Sequence, residues 1–207
     1  MNRTGNILFA AIAMAALGTV YVQGERLGLT ATTRLALKGA TTLVAALLAA
    51  YGANAGGGTP AWLICAGIVV CAAADVLLEK TFLVGMGCFA LGHALYIAAF
   101  LMMQPVKTIN AVVFAGLLAV SAVVVYALRK RLNPAPAYFS YGVILSAMAA
   151  LSLGQAPVAA AGAFLFLASD IVLAFRLAGV APAASGSVVM LLYYSGQYLL
   201  GLSTLFR

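Results

Sequence analysis

Two short stretches put a carboxylate where a lipid-embedded helix is expected. Ala72-Ala73-Ala74-Asp75-Val76-Leu77-Leu78-Glu79-Lys80 holds Asp75 among small and aliphatic residues, and Ala168-Ser169-Asp170-Ile171-Val172-Leu173-Ala174-Phe175-Arg176 does the same for Asp170. Each reads small residue, Asp, three aliphatics, and a basic residue five or six positions beyond the Asp. An Asp at the centre of a bilayer costs roughly 2.5–3.5 kcal/mol by insertion scales. Two such placements in matching contexts call for a function. In a low-dielectric pocket two neighbouring carboxylates repel, so one can hold a proton while the other stays charged. That puts an acid beside a base, the pairing that hydrolyses an acid-labile bond.

Other polar residues lie in apolar stretches at helical spacing. His93 and Tyr96 stand at i and i+3, and Tyr193 or Tyr194 stands with Gln197 at i and i+4 or i+3. Lys38, in Leu37-Lys38-Gly39-Ala40-Thr41-Thr42, offers a counter-charge to an Asp or to a lipid phosphate; its bland alternative is snorkelling to the interface. A structural role for the two Asp residues, pairing with Lys38 or gluing helices together, is the competing reading. His93 is the chain's one histidine, which excludes a His-rich catalytic zinc site. Cys65, Cys71 and Cys88 fall in apolar runs and read as small buried hydrophobes. There is no Gly-x-Ser-x-Gly and no paired histidine. Gly56-Gly57-Gly58 lacks the Lys-Ser/Thr of a phosphate loop and reads as a flexible connection. No metal and no organic cofactor is expected.

The elements that must position these residues are membrane helices. Of the 207 residues, 65% are hydrophobic and 7% charged. A soluble domain carries about 25% charged residues. The expectation is one all-α integral membrane domain over 1–207. Its eight transmembrane helices fall at about 6–23, 33–51, 60–79, 82–103, 108–128, 137–154, 157–176 and 185–206. The first segment is read as a retained helix rather than a signal peptide. Between the segments lie turn signals such as Gly24-Glu25-Arg26, Gln104-Pro105 and Asn133-Pro134-Ala135-Pro136. The net charge of +7 has no basic face with interleaved aromatics, so nucleic acid is not an expected partner. The cations instead fit membrane orientation and contact with anionic lipids.

Arg26, Arg34, Lys80, Arg129, Lys130, Arg131 and Arg176 fall in or beside the odd-numbered loops, against Arg3, Lys107 and Arg207 elsewhere. By the positive-inside rule this places the odd loops in the cytoplasm and both termini outside, in a bacterial inner membrane. Asp75, Asp170 and Lys38 then lie shallow from the cytoplasmic side, with His93, Tyr96 and Gln197 near mid-membrane. A cavity opening toward the cytoplasmic leaflet would gather them. The echo of 72–80 in 168–176 fits a parallel four-plus-four internal repeat, since four crossings restore the starting orientation.

These residues, in this order, resemble the YhhN/TMEM86 family. The resemblance rests on Lys38 with Thr41-Thr42, on Ala74-Asp75-Val76-Leu77-Leu78, and on Phe89-Ala90-Leu91-Gly92-His93-Ala94-Leu95-Tyr96. It continues in Ser169-Asp170-Ile171-Val172-Leu173-Ala174 and Tyr194-Ser195-Gly196-Gln197-Tyr198-Leu199. It covers nearly the whole chain. It implies a lysoplasmalogenase, which cleaves the vinyl-ether bond of a lysoplasmalogen to a fatty aldehyde and a glycerophospho-alcohol. The expected partners are then a lysophospholipid substrate within the bilayer and the surrounding lipids. Asp75 and Asp170 would share acid and base, with the division between them open, and His93 would relay a proton. Tyr96, Tyr194 and Gln197 would orient the carboxylates or the glycerol hydroxyl, and Lys38 would hold the phosphate. One departure stands out: family members often read Lys-Pro in the second helix, where this chain reads Lys38-Gly39. Local unwinding is expected there all the same. The alternative from another class is a small proton-coupled transporter or permease, which needs water access from both sides.

Overall fold

A computed structural model describes residues 3–182 and 184–206. These residues form helices and no strand. The α-helices are α1 (Arg3–Val22), α2 (Ala31–Gly52), α3 (Gly58–Lys80), α4 (Phe82–Met103), α5 (Thr108–Leu128), α6 (Ala135–Ser152), α7 (Pro157–Leu177) and α8 (Ser185–Ser203). Six helical stretches are long and apolar enough to cross a membrane, as a multi-pass integral membrane protein requires. The stretch containing α2 and α3 counts as one of these, because a π-helical turn, Ala53–Gly57, joins them into a single run of 50 residues. A straight run of that length would reach about 75 Å, far more than a hydrocarbon core of about 30 Å. It does not run straight. Gly56 adopts a φ of 103° and Gly58 a φ of 63°, a conformation that glycine tolerates without a Cβ penalty. The chain turns there, and α3 packs back on α2. The segment expected as a flexible connection is therefore a helical turn, because its glycines supply the one backbone bend that the run needs. α8 is not among the six apolar stretches, and Tyr193, Tyr194, Ser195 and Gln197 explain why.

Helix ends follow local chemistry. Thr30 caps α2, its hydroxyl accepting from the Thr33 amide at 3.2 Å, which satisfies one of the helix's free N–H groups. Prolines fall in the first turns of α6 and α7, where a missing N–H costs nothing. The pair of charges at Glu79-Lys80 closes α3, and the break before α4 is the single extended residue Thr81. Lys38-Gly39 does not unwind α2, contrary to the expectation, because glycine keeps its amide for the helical ladder. Gly39 serves packing instead: a Cβ there would lie 3.3 Å from the Ala72 carbonyl of α3.

Small residues set the helix crossings. A Cβ on Gly92 would lie 3.1 Å from the Gly67 carbonyl and 2.6 Å from Cys71 Sγ, so α3 and α4 meet backbone to backbone. Gly162 and Gly196 do the same for α7 and α8, each Cβ falling 2.9 Å from the other's carbonyl. Without a hydrophobic difference between lipid and side chain, such close approach is what drives helices together in a bilayer. Gly67 precedes Asp75 by the same spacing that separates Gly162 from Asp170. The core, from Ala45 through Ile64, Tyr96, Phe100, Met148 and Phe166 to Leu200, lies among α2, α3, α4, α6, α7 and α8. α5 packs on α6 and otherwise presents apolar residues outward. Arg207, counted in the charge asymmetry, lies outside the described residues. The thiols of Cys65, Cys71 and Cys88 are free.

Candidate active site

A cavity of about 600 Å³ reaches into the bundle between α2, α3, α6, α7 and α8. All four acidic residues of the chain, Glu25, Asp75, Glu79 and Asp170, line it. Arg34, Lys38 and Arg176 line it as well, so both charge signs meet at one place.

Asp75 stands one turn above the end of α3 and is 1% exposed. Two hydroxyls donate to its Oδ2, Thr42 Oγ1 from α2 at 2.6 Å and Tyr193 Oη from α8 at 2.8 Å. The chain of donors continues behind Tyr193. Gln197 Nε2 donates to Tyr193 Oη at 3.4 Å, and Tyr96 Oη donates to Gln197 Oε1 at 2.9 Å. Every proton in this series points toward Asp75, the arrangement of a carboxylate held as an acceptor.

Asp170 is built differently. It is only half-buried, and the one side-chain donor on its Oδ2 is the Tyr141 hydroxyl from α6. His93 Nε2 lies 3.1 Å from the same Tyr141 oxygen. A phenol has one proton, and while it lies on the bond to Asp170, His93 donates through Nε2. That leaves His93 Nδ1 as a bare acceptor, and it is buried with no partner among the described residues. The imidazole sits edge-on to Phe166, ring centroids 4.6 Å apart.

Lys38 meets neither Asp directly. Its Nζ pairs with Glu79 Oε1 at 2.8 Å, and Glu79 is a residue whose sequence context suggests only a loop charge. The cavity wall includes Lys38, Asp75 and Asp170 but not His93, Tyr96, Tyr194 or Gln197. His93, Tyr96 and Gln197 are 0% exposed and stand behind the wall, each in one of the two hydrogen-bond chains. Tyr194 points elsewhere: its hydroxyl donates to the Lys38 carbonyl at 3.4 Å and its ring packs on Gly18 and Tyr21. Of the neighbouring tyrosines, Tyr193 is the one at the carboxylate.

Sequence reasoning missed Tyr141, and it gave Thr42 no role beyond its motif. Nothing in Tyr138-Phe139-Ser140-Tyr141 marks which tyrosine reaches a carboxylate, since both are amphipathic, one turn apart and on the cavity wall. Thr42 follows Lys38 by one turn on α2, and that spacing was the available signal. Among the described residues no cluster of three or more His, Cys, Asp or Glu side chains is placed to hold a metal.

The arrangement can give a proton from one carboxylate, take one at the other, and keep both inside a largely apolar cavity. A family model described as the YhhN family matches residues 33–204. No curated protein and no solved structure matches the chain.

Proposed function

Because the chain belongs to the YhhN family, we propose that it is a membrane-embedded hydrolase cleaving the vinyl-ether bond of lysoplasmalogens. The observation that carries this reading is the pair of carboxylates on one cavity, each fixed by a hydroxyl from the preceding helix. Asp170, half-buried and facing the cavity with one donor, is assigned as general acid. Asp75, already accepting from Thr42 and Tyr193, is assigned as the base. Asp170 gives its proton to the vinyl carbon distal to the ether oxygen, and the carbon beside that oxygen becomes part of an oxocarbenium ion. Water adds to this carbon and gives its proton to Asp75, leaving a hemiacetal. Asp75 then returns a proton to the departing glycerol oxygen while Asp170 takes the hemiacetal hydroxyl proton. Aldehyde and glycerophospho-alcohol leave, and both carboxyls regain their starting states. Negative charge at Asp75 also favours the oxocarbenium ion. Tyr141 is a positioning residue for Asp170, and His93 acts through Tyr141. Tyr96 and Gln197 act through Tyr193.

The same reading keeps eight crossings, a cytoplasmic face for the cavity and a four-plus-four repeat. Several pairings support the repeat: α2 packs on α3 as α6 does on α7, α3 on α4 as α7 on α8, and α2 on α8 as α6 on α4. The test is to incubate purified protein in detergent with lysoplasmalogen and follow aldehyde by mass spectrometry. D75N and D170N should each abolish release, and the double variant should be little worse than either, because groups acting as a unit are non-additive. Near-native turnover by either folded variant would remove that Asp from the mechanism.

A further inference from the structure

Three cations line the cavity, and two of them are already matched. Arg34 Nη1 lies 2.7 Å from Glu25 Oε1, and Lys38 Nζ lies 2.8 Å from Glu79 Oε1. Arg176 forms no ion pair and no side-chain hydrogen bond among the described residues. The two carboxylates without a cation partner, Asp75 and Asp170, take hydroxyl donors instead. Arg176 is exposed, and its guanidinium lies against α8. It covers the first turn of α8, where a Cβ on Gly186 would collide with Nη1. Glycine at 186 is what makes room for the guanidinium. Gly186 and Ser187 line the cavity beside it.

Two further features lie near it. Ser185, next to Gly186 in the chain but behind the cavity wall, is 7% exposed, and its Oγ has no hydrogen-bond partner among the described residues. Ala184, the residue before α8, brings no side chain to cap the helix; the Ser185 and Ser187 amides donate to the Pro182 and Ala184 carbonyls, so what the first turn offers is the positive end of the helix dipole. An unmatched guanidinium beside the positive end of a helix is complementary to one chemical class, a phosphate ester with several acceptor oxygens. We propose that Arg176, with the first turn of α8 beside it, forms the phosphate-binding end of the cavity. The phosphodiester of a lysophospholipid would sit there, leaving Lys38 to its pair with Glu79.

This rests on the lipid-hydrolase reading, and its geometry agrees with that reading. Asp170 and Arg176 share α7, and the rise between them is about 9 Å at about 1.5 Å per residue. In a lysoplasmalogen roughly six or seven bonds of about 1.5 Å separate phosphorus from the vinyl carbons, a span of the same order.

The test uses the full chain in detergent and a non-cleavable saturated 1-O-alkyl lysophospholipid, compared with 1-O-alkylglycerol, which lacks the phosphate. Binding is followed by calorimetry, and folding by thermal unfolding without ligand. The native chain should prefer the phospholipid by about tenfold or more, the scale of a charge-assisted pair. R176Q should bring the two ligands level, and R176K should restore part of the difference. G186A should act like R176Q, since its methyl group displaces the guanidinium, and it serves as the second probe should R176Q fold poorly. Inorganic phosphate that competes with the phospholipid in the native chain and not in R176Q would show that the free ion takes the same position. Phosphate that never competes, with the Arg176-dependent preference intact, would assign the site to the lipid-borne group alone. A preference that persists in folded R176Q and G186A, or that is absent from the native chain, overturns the proposal. So does a preference lost in K38M and kept in R176Q. If the preference depends on Arg176 but vinyl-ether lipid yields no aldehyde, the anion site stands and the hydrolase reading fails.

Discussion

Tyr193 and Tyr194 are adjacent, chemically identical and both buried, yet only one touches a carboxylate. That makes Y193F a sharp probe. The substitution removes one oxygen and keeps the ring, so the edge contacts with Phe166 at 5.2 Å and Phe89 at 5.9 Å survive. What is lost is the 2.8 Å donor on Asp75 Oδ2, together with the weaker acceptor for Gln197 at 3.4 Å. A hydrogen bond to a charged group contributes about 1.5–3 kcal/mol. At about 1.36 kcal/mol per decade this is roughly a 10- to 150-fold fall in kcat/KM if the bond persists in the transition state. The fall should not be total, because Thr42 still donates at 2.6 Å. T42V should fall on a similar scale. The two hydroxyls share one carboxylate oxygen and lie 3.2 Å apart. Their effects should therefore be non-additive, as for any residues in direct contact. Y194F loses only a 3.4 Å bond to a backbone carbonyl. It should stay within about twofold of the native rate, like a neutral substitution. The assay is aldehyde release per folded molecule, with folding checked by thermal unfolding in detergent. Native activity in Y193F, or a larger loss in Y194F, would refute the assignment of Asp75 as a carboxylate held by its hydroxyl donors.

Y141F should strip His93 of its one side-chain hydrogen bond among the described residues and release Asp170, lowering stability by about 1–3 kcal/mol and reducing turnover. Y138F, on the same cavity wall but stacked on Phe82, should do neither, and equal melting temperatures and rates for the two variants would contradict the Asp170–Tyr141–His93 chain. G201A places a Cβ 2.6 Å from the Ala45 carbonyl, between α2 and α8. Its melting temperature should drop, since overpacking costs about 1–3 kcal/mol. G87A meets nothing within 4 Å. It should leave the melting temperature unchanged or raised, as Ala replaces Gly in a helix interior. Reporter fusions at the C-terminus should read outside and fusions in the Arg129–Arg131 loop should read cytoplasmic; the opposite pattern would put the cavity on the outer leaflet.

Much of the helical architecture was legible because hydrocarbon imposes a simple rule: apolar runs span, and turn residues separate them. The two Asp contexts stood out for the same reason, a carboxylate being costly wherever water is absent. Partners were another matter. Lys38 and Asp75 both read as shallow from one side, and charge alone suggested that they would meet. The actual mate, Glu79, sits one turn past Asp75 on the same helix face, and only the offset of α3 along α2 decides between them. The choice between Tyr193 and Tyr194 is a matter of helix rotation, about 100° per residue, which the weak polar periodicity of α8 cannot fix. His93, Tyr96 and Gln197 were found by polarity and depth, but polarity does not say whether a side chain faces a cavity or supports the residue that does. Gly39 shows the limit in reverse. A glycine suggests a break when read alone, and a close helix crossing once its neighbour is known.

The gathering of every acidic side chain at one cavity leaves the rest of the protein with charge of a single sign. Three of the eleven Lys and Arg residues line that cavity, and the others have no carboxylate side chain left to balance them. Their counterions must come from the surroundings. The lipid annulus should therefore be enriched in anionic headgroups, each basic residue near the surface being worth about 1 kcal/mol of attraction. That annulus should thin as ionic strength rises and the Debye length shrinks. The paired charges within the cavity, compensated by one another, should be far less sensitive to salt.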